Sequence, residues 1–362
     1  MDKYLLALSQ VDGLGSATLI KLIKQFGSAE ALFKASVFDL KKYELSSGLI
    51  DLIKQAQKIE TNDLIKEIDR EQLSVCSYYD ECYPKMLKEI FDPPILFYYR
   101  GNLKLADKPA LAVVGSRRIS GYAQQIMPKL LQPVIESGIT IVSGLAYGVD
   151  GLSHQLALEY GGQTIAVVGS GLGWNRIYPP GNVKLAQKII AQNGLLISEN
   201  PPLFEALPFT FPRRNRIISG LAKATLIVEA AQKSGALITA ACAAEQNREV
   251  LAVPQNIYSP TSAGVNNLLK NGAKAVTSAE DILEIFNLKA DININNPVTE
   301  KMLVELNNDE KTVYNSLSAS PVHIDKIIEN CNLNTSLVNS WLVQLEIKGL
   351  IKNLGNQNYV KT

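Results

Sequence analysis

Apolar positions over the first part of the chain recur at helical spacing, in LLALSQV, ATLIKLIKQF and LIDLIKQAQKI. They predict a helical N-terminal domain over residues 1–70, of the SAM or helix-hairpin-helix kind. Beyond it the pattern changes. ALAVV, ITIVS, TIAVVG, GLLIS, TLIVEA and EVLAVP are short, β-rich and almost continuously apolar. Such runs read as parallel strands covered on both faces. Amphipathic stretches such as GLSHQLALEYGG and ALITAACAAEQN separate them. The βαβ alternation predicts an α/β domain over residues 71–288, a Rossmann-like doubly wound parallel sheet whose ligands bind at the carboxyl ends of the strands. Residues 289–299 are polar and asparagine-rich and read as a linker. Over residues 300–362, helical patterns (KMLVELN with KTVYNSL, HIDKIIENC, LVNSWLVQLEIKGL) precede a strand, a Gly-Asn turn and a second strand, the order of a winged helix.

Composition narrows the chemistry more by what it excludes. The 36 basic and 35 acidic residues balance, so only their local distribution is informative. Four scattered cysteines without CxxC spacing read as free thiols in a reducing cytoplasm, with neither a disulfide framework nor a zinc site. The N-terminus has no signal-peptide pattern, and no segment reads as a membrane span. The two histidines, His154 and His323, lie far apart and near no nucleophile motif, which argues against a hydrolase triad and a histidine metal site. No catalytic residue, metal or cofactor is expected.

Four glycine- or arginine-rich segments follow or precede the strands. Gly115-Ser116-Arg117-Arg118 comes directly after LAVV, just before a helix near Gly121. Glycine permits a tight turn, helix-start amides and the serine hydroxyl can surround an anion, and arginine adds a planar fork for phosphate. A dinucleotide site would want GxGxxG there and an acid at the end of the second strand, but that strand ends Ser143-Gly144-Leu145-Ala146. Asp150 reads as the N-cap of the helix carrying His154. The GxGxG at Gly169–Gly173 runs into a Pro-rich loop and reads as a long ordered loop at the sheet edge. Most informative is Pro212-Arg213-Arg214-Asn215-Arg216: three arginines in what reads as the first turn of a helix repel its dipole unless an anion is present. Pairing with Glu199 or Glu229 is the structural alternative.

Charge distribution supports an anionic partner. Residues 100–234 hold 14 basic and 7 acidic residues, and five of the chain's nine arginines lie at 117–118 and 213–216. Residues 299–362 carry six lysines, no arginine and seven acids, and Thr335–Glu346 has no basic residue, so the winged helix reads as a partner-binding or dimer-stabilising module. Val11–Ala17 looks like a helix-hairpin-helix turn; with ten basic and ten acidic residues in segment 1–70, packing is as good a reading as DNA contact.

The segments GSRRISGY, IVSGLAYGVDGLSHQLAL, TIAVVGSGL with IYPPGN, LLISENPP, FPRRNRIISGLA, VEAAQKSGALITA and VLAVP, preceded by YPKMLKEIFDPPILFYYRGN, resemble in order the DNA-processing protein A (DprA/Smf) family over residues 78–285. The resemblance implies a homodimeric single-stranded-DNA-binding protein that protects DNA and loads the RecA recombinase in natural transformation, and not an enzyme. It implies that Arg117, Arg214, Arg216 and Lys233 hold DNA phosphates. Where some members carry a lysine after Tyr-Pro this chain has Pro180, and Lys184 is the candidate substitute. Together with Gly115, Ser116, Arg118, Ser143, Gly144, Arg213 and Asn215, these residues make the expected DNA site. The alternative, a nucleotide-processing hydrolase of the related phosphoribohydrolase group, wants GGxGTxxE, and Ser234-Gly235-Ala236-Leu237-Ile238-Thr239 lacks it.

Overall fold

The computed structural model describes residues 2–288, 306–317, 322–331, 333–348, 350–353 and 357–361, and the chain divides into two compact units, residues 1–290 and 291–362. The linker expected over 289–299, the segment 301–305 and the Gly-Asn turn at 355–356 lie outside the described residues.

The first unit opens with helices α1 (Lys3–Ser9), α2 (Ser16–Phe26), α3 (Ala29–Lys34), α4 (Val37–Lys42), α5 (Ser47–Ala56) and α6 (Asn62–Arg70). Their starts are written locally. Asp2 accepts from the Tyr4 and Leu5 amides, Ser28 and Ser46 cap α3 and α5, and Ser36 with Asp39 forms a capping box on α4. The apolar stripes that predicted them, including Leu6, Leu19, Leu32 and Ile53, are fully or almost fully buried.

A nine-stranded sheet follows: β1 (Ser74–Ser77), β2 (Leu96–Gly101), β3 (Ala110–Val114), β4 (Thr140–Ser143), β5 (Thr164–Val167), β6 (Leu195–Ser198), β7 (Ala224–Ile227), β8 (Glu249–Ala252) and β9 (Lys274–Ala275), in spatial order β1-β2-β6-β5-β4-β3-β7-β8-β9. From β6 to β9 every pairing is parallel; β1 and β2 add antiparallel pairings at one edge. The six apolar runs are β3 to β8. The antiparallel strands SVCS and LFYYRG are not among the runs that the sequence pattern predicts, because neither alternates cleanly nor forms a long apolar run.

Strands β3 to β7 are buried at every position, as a sheet covered on both faces requires. Leu111, Val113, Ile141 and Leu226 pack against α8 (Gly121–Glu136) and α9 (Val149–Glu159). Ala112, Val142, Ile165, Val167 and Ile227 face the other way, into a core with Ile217 and Ile218 of α11 (Thr210–Gly220) and Ala236 and Ala240 of α12 (Gly235–Glu245). The N-terminal helices join a further core with Tyr98, Ala166, Leu196 and residues of α10 (Val183–Ala191), so the helical segment and the sheet share apolar interior. The parallel strands run outward from β3 in one direction and from β7 in the other. Their junction is the topological switch point, where doubly wound sheets open a crevice at the carboxyl ends of the strands.

Two local expectations are corrected. The helix bearing the arginines starts at Thr210, with Phe209 at the N-cap position and no side-chain capping bond, so Arg213 closes its first turn and Arg214 and Arg216 lie in its second. Asp150 is not an N-cap: Gly148, at φ 76°, occupies that position because a β-carbon there would run into the Ser116 carbonyl.

The second unit has helices Asn308–Asn315, Ile324–Cys331 and Thr335–Ile347 and an antiparallel sheet in which Asn358–Lys361 lies between Val322–His323 and Ile351–Asn353. This is the winged-helix order, with Val322–His323 as a third strand. Val313, Ile327, Val338, Leu342 and Leu345 fill its separate core.

Candidate functional site

A cleft of about 390 Å³ opens at the switch point. Gly115, Ser116 and Arg117 from the β3 loop, Ala146 from the β4 turn, Asp150 in the first turn of α9, and Phe211, Arg214 and Asn215 of α11 line it, with Lys233, Ser234 and Gly235 at the start of α12. Of the candidate residues, Gly115, Ser116, Arg117, Arg214, Asn215 and Lys233 are brought together on this cleft.

The β3 and β4 loops interlock to form one wall. A β-carbon on Gly115 would meet Val149, and the Ser116 carbonyl accepts from the Val149 amide at 3.1 Å. The Ser116 hydroxyl accepts from the Arg118 amide (3.1 Å) and donates to the Arg118 carbonyl (2.7 Å), a tight turn that leaves both Arg117 and Arg118 exposed. Arg117 extends over the Phe211 ring, its guanidinium carbon 5.1 Å from the centroid, and Phe211 in turn meets Tyr178 at 5.5 Å between centroids. Arg118 does not line the cleft.

The floor is a buried charge assembly. Asp150 accepts from the Gly144 amide at 3.1 Å, and Arg214 donates from Nη1 to the Val167 carbonyl at 2.8 Å. Burial pushes the Asp150 carboxyl above its ordinary value, opposed by Arg214 and by the Ala146 and Gly144 amides. Burial likewise lowers Arg214 to about 10, with Asp150 pulling it back up and Arg117 adding to the fall. Arg214 Nε has no partner among the described residues. Gly144 is required by this packing, since a β-carbon would strike the Arg214 guanidinium and come within 2.6 Å of Asp150 Oδ2. Leu145 beside it is held at φ 58°, and Asn182 Nδ2 donates to the Leu145 and Ala146 carbonyls at 2.8 and 3.2 Å. Backbone strain stored beside a cleft is characteristic of a binding turn.

The helix N-terminus presented to the cleft belongs to α12, where Ser234 caps the Ala236 amide. The expected donor, α8, is closed off: the buried Glu229 accepts from the Ser120 amide at 3.0 Å and from the Thr261 hydroxyl at 3.3 Å. Exposed Lys233 stands beside α12's partial positive charge, and Asn215 Nδ2 donates to the Gly235 carbonyl, tying α11 to α12.

The remaining candidates lie elsewhere. Ser143 is fully buried and spends its hydroxyl on the Val113 carbonyl at 2.6 Å. Lys184 is exposed on α10 and lines no part of the cleft. Arg216 turns away from it: Nη1 and Nη2 donate to the two Glu199 oxygens at 3.0 and 2.8 Å, and Nε donates to Asp92 at 3.0 Å. Burial works against its charge, but Glu199 and Asp92 outweigh it and leave the group above its ordinary value. Arg213, half exposed, reaches Glu199 at 3.2 Å. The carboxylate pairing weighed as an alternative is therefore what the structure holds at both positions, with Glu199 as the partner. Asp92 also accepts from the Ala17 amide, and Ser16 donates to Glu199, so the helix-hairpin-helix turn packs against the protein's own carboxylates.

The sequence reading did not single out Phe211, Tyr178 and Tyr147, which with Arg117, Gly144 and Arg214 line a smaller hollow adjoining the cleft. Tyr147 and Tyr178 are large exposed aromatics next to glycine-rich loops, and that was the available signal. His154 is fully buried against Thr164 and takes no part.

The model of the DNA recombination-mediator protein A family matches residues 74–287, and that of the DprA winged helix domain matches residues 299–357. The chain belongs to the DNA recombination-mediator protein A family. It is 45% identical over 210 residues to the DNA processing protein DprA of Streptococcus pneumoniae, covering 58% of this chain and 73% of that protein. It is 33% identical to protein Smf of a Synechocystis strain over 98% of each chain. The X-ray structure of the Streptococcus pneumoniae family member superposes with a TM-score of 0.69 at 35% identity, over 78% of this chain and 98% of that one. A family structure from Helicobacter pylori, described for its single-stranded DNA binding mode, superposes at 0.53 and 32% identity over 60% of this chain and 96% of that one.

Proposed function

We propose that this chain binds single-stranded DNA in the switch-point cleft, protects it, and loads the RecA recombinase onto it during natural transformation, acting as a cytoplasmic homodimer and not as an enzyme. The observation that carries the reading is the convergence of Arg117, the buried Arg214, Lys233 and the N-terminus of α12 on one open cleft. Two flexible cations at the rim, a fixed cation in the floor and the partial positive charge at the start of α12 suit consecutive phosphates of a strand. The exposed rings of Tyr147 and Tyr178 with Phe211 offer faces on which bases stack without sequence preference. The DNA processing relatives and the single-strand-binding Helicobacter pylori protein support the reading.

The cleft's one lining carboxylate, Asp150, is buried beneath Arg214 and bonded to a backbone amide, an arrangement suited to positioning a cation rather than to activating water. Among the described residues no helix is long and apolar enough to cross a membrane. Fluorescence anisotropy of a labelled oligo-dT strand against the same sequence in duplex tests the proposal. Tighter, salt-sensitive binding of the single strand supports it, and equal binding of both forms refutes it.

A further inference from the structure

Cys76 and Cys82 lie six positions apart without CxxC spacing, and the fold brings them together. Cys76 is a fully buried residue of β1, and its Sγ lies 3.6 Å from that of Cys82, which is exposed. A carboxylate oxygen of exposed Asp80 joins them, and the three donor atoms all lie within 4.8 Å of one another. The turn between them is tightly made: Asp80 Oδ2 accepts from the Ser77 amide at 2.7 Å, the Asp80 amide donates to the Ser77 carbonyl at 3.0 Å, and the Tyr83 amide donates to the Asp80 carbonyl at 3.1 Å. Tyr83, next to Cys82, is anchored by its buried hydroxyl bond to the Pro94 carbonyl at 2.7 Å.

We propose that Cys76, Cys82 and Asp80 form a site for one thiophilic divalent cation of the zinc class. Two thiolates on a tetrahedral zinc with bonds of about 2.3 Å stand roughly 3.8 Å apart, close to the separation observed. A carboxylate facing both sulfurs supplies a third, harder ligand, which a disulfide would not use. Because Cys82 and Asp80 are exposed, water completes the coordination. Binding forms two metal–sulfur bonds, breaks two S–H bonds and releases two protons to solvent; no electron is transferred. The bound cation ties the β1 edge to the turn leading into Tyr83, a structural staple remote from the arginine cleft.

Cadmium titration of the reduced full-length chain reads the site directly through the ultraviolet sulfur-to-metal charge-transfer band, and zinc competition with the thermal midpoint gives a second readout. The proposal expects one equivalent bound per chain, a raised midpoint with zinc, loss of the band in Cys82→Ser, a band retained in Cys242→Ser, and affinity weakened at least about tenfold in Asp80→Asn. Cys82 is exposed, so its serine variant keeps the fold. No band in the wild type, an undiminished band in Cys82→Ser, or a Cys76–Cys82 disulfide in place of cation binding overturns it.

Discussion

Arg216 and Glu199 face each other through two parallel hydrogen bonds, at 2.8 and 3.0 Å, with both side chains about nine-tenths buried. A guanidinium closed in this way on one carboxylate, and on Asp92 through Nε, is a clasp between α11, the end of β6 and the loop before β2. Its first consequence is for stability. Arg216→Ala leaves Glu199 a buried charge deprived of its main partner, and removing one member of such a pair costs about 3–5 kcal/mol. The expected outcome in urea denaturation is a large drop in midpoint, partly restored when Glu199→Gln is added. An unchanged midpoint would show that the clasp contributes nothing to the fold.

Gly144 carries the floor of the cleft. Any β-carbon there displaces the Arg214 guanidinium and crowds Asp150. Gly144→Ala is expected to destabilise by about 1–3 kcal/mol through overpacking and to weaken strand binding more than Gly235→Ala, whose added carbon meets open space. Denaturation and anisotropy on the two variants side by side check the contrast.

The fold should lose stability in mild acid through His154. The Thr164 hydroxyl donates to the Ile141 carbonyl at 2.8 Å, so the His154 Nδ1 at 2.7 Å must donate to that oxygen, and the proton sits on Nδ1. Nε2 is buried without a partner among the described residues. Burial, with the Arg214 charge adding, lowers the imidazole from its ordinary 6.5 to about 3. A depressed value means the unfolded state binds the proton first. The contribution is therefore complete above about pH 6.5 and is lost progressively as pH falls toward 3. Stability measured over this window should fall more steeply for the wild type than for His154→Leu, and equal slopes would contradict the assignment.

Phe211 separates two kinds of contact. Its ring lies under Arg117 and beside Tyr178. Phe211→Ala is expected to weaken oligo-dT binding by about 1–3 kcal/mol, with a smaller loss on an abasic strand that has nothing to stack. Equal losses on both strands would mean that the ring serves only to hold Arg117.

Much of the fold was legible because buried parallel strands write themselves as uninterrupted apolar runs, and β3 to β8 are such runs. The antiparallel strands β1 and β2 were not, because β1 is only four residues long with a serine at each end and β2 carries adjacent tyrosines and Arg100 that break its alternation. At the site, arginine clustering marked the right loops but not the direction of each side chain. Along α11, Arg214 turns into the cleft while Arg213 and Arg216 turn to Glu199, a partner contributed by another strand end and invisible to local spacing. The Cys76–Cys82 pair escaped for a similar reason: a tight turn, not a CxxC motif, brings the sulfurs together.

The central claim is that Arg117 and Lys233 at the cleft rim hold phosphates while Arg216 holds the fold. Oligo-dT anisotropy over a salt series, on wild type, Arg117→Ala, Lys233→Ala and Arg216→Lys, tests it most directly. Each rim substitution is predicted to weaken binding regardless of sequence and to reduce the salt slope by about one, with the thermal midpoint unchanged. Arg216→Lys is predicted to lower the midpoint and to leave the salt slope near that of the wild type. Unchanged affinity and slope in both rim variants would contradict the claim and move the binding site away from this cleft.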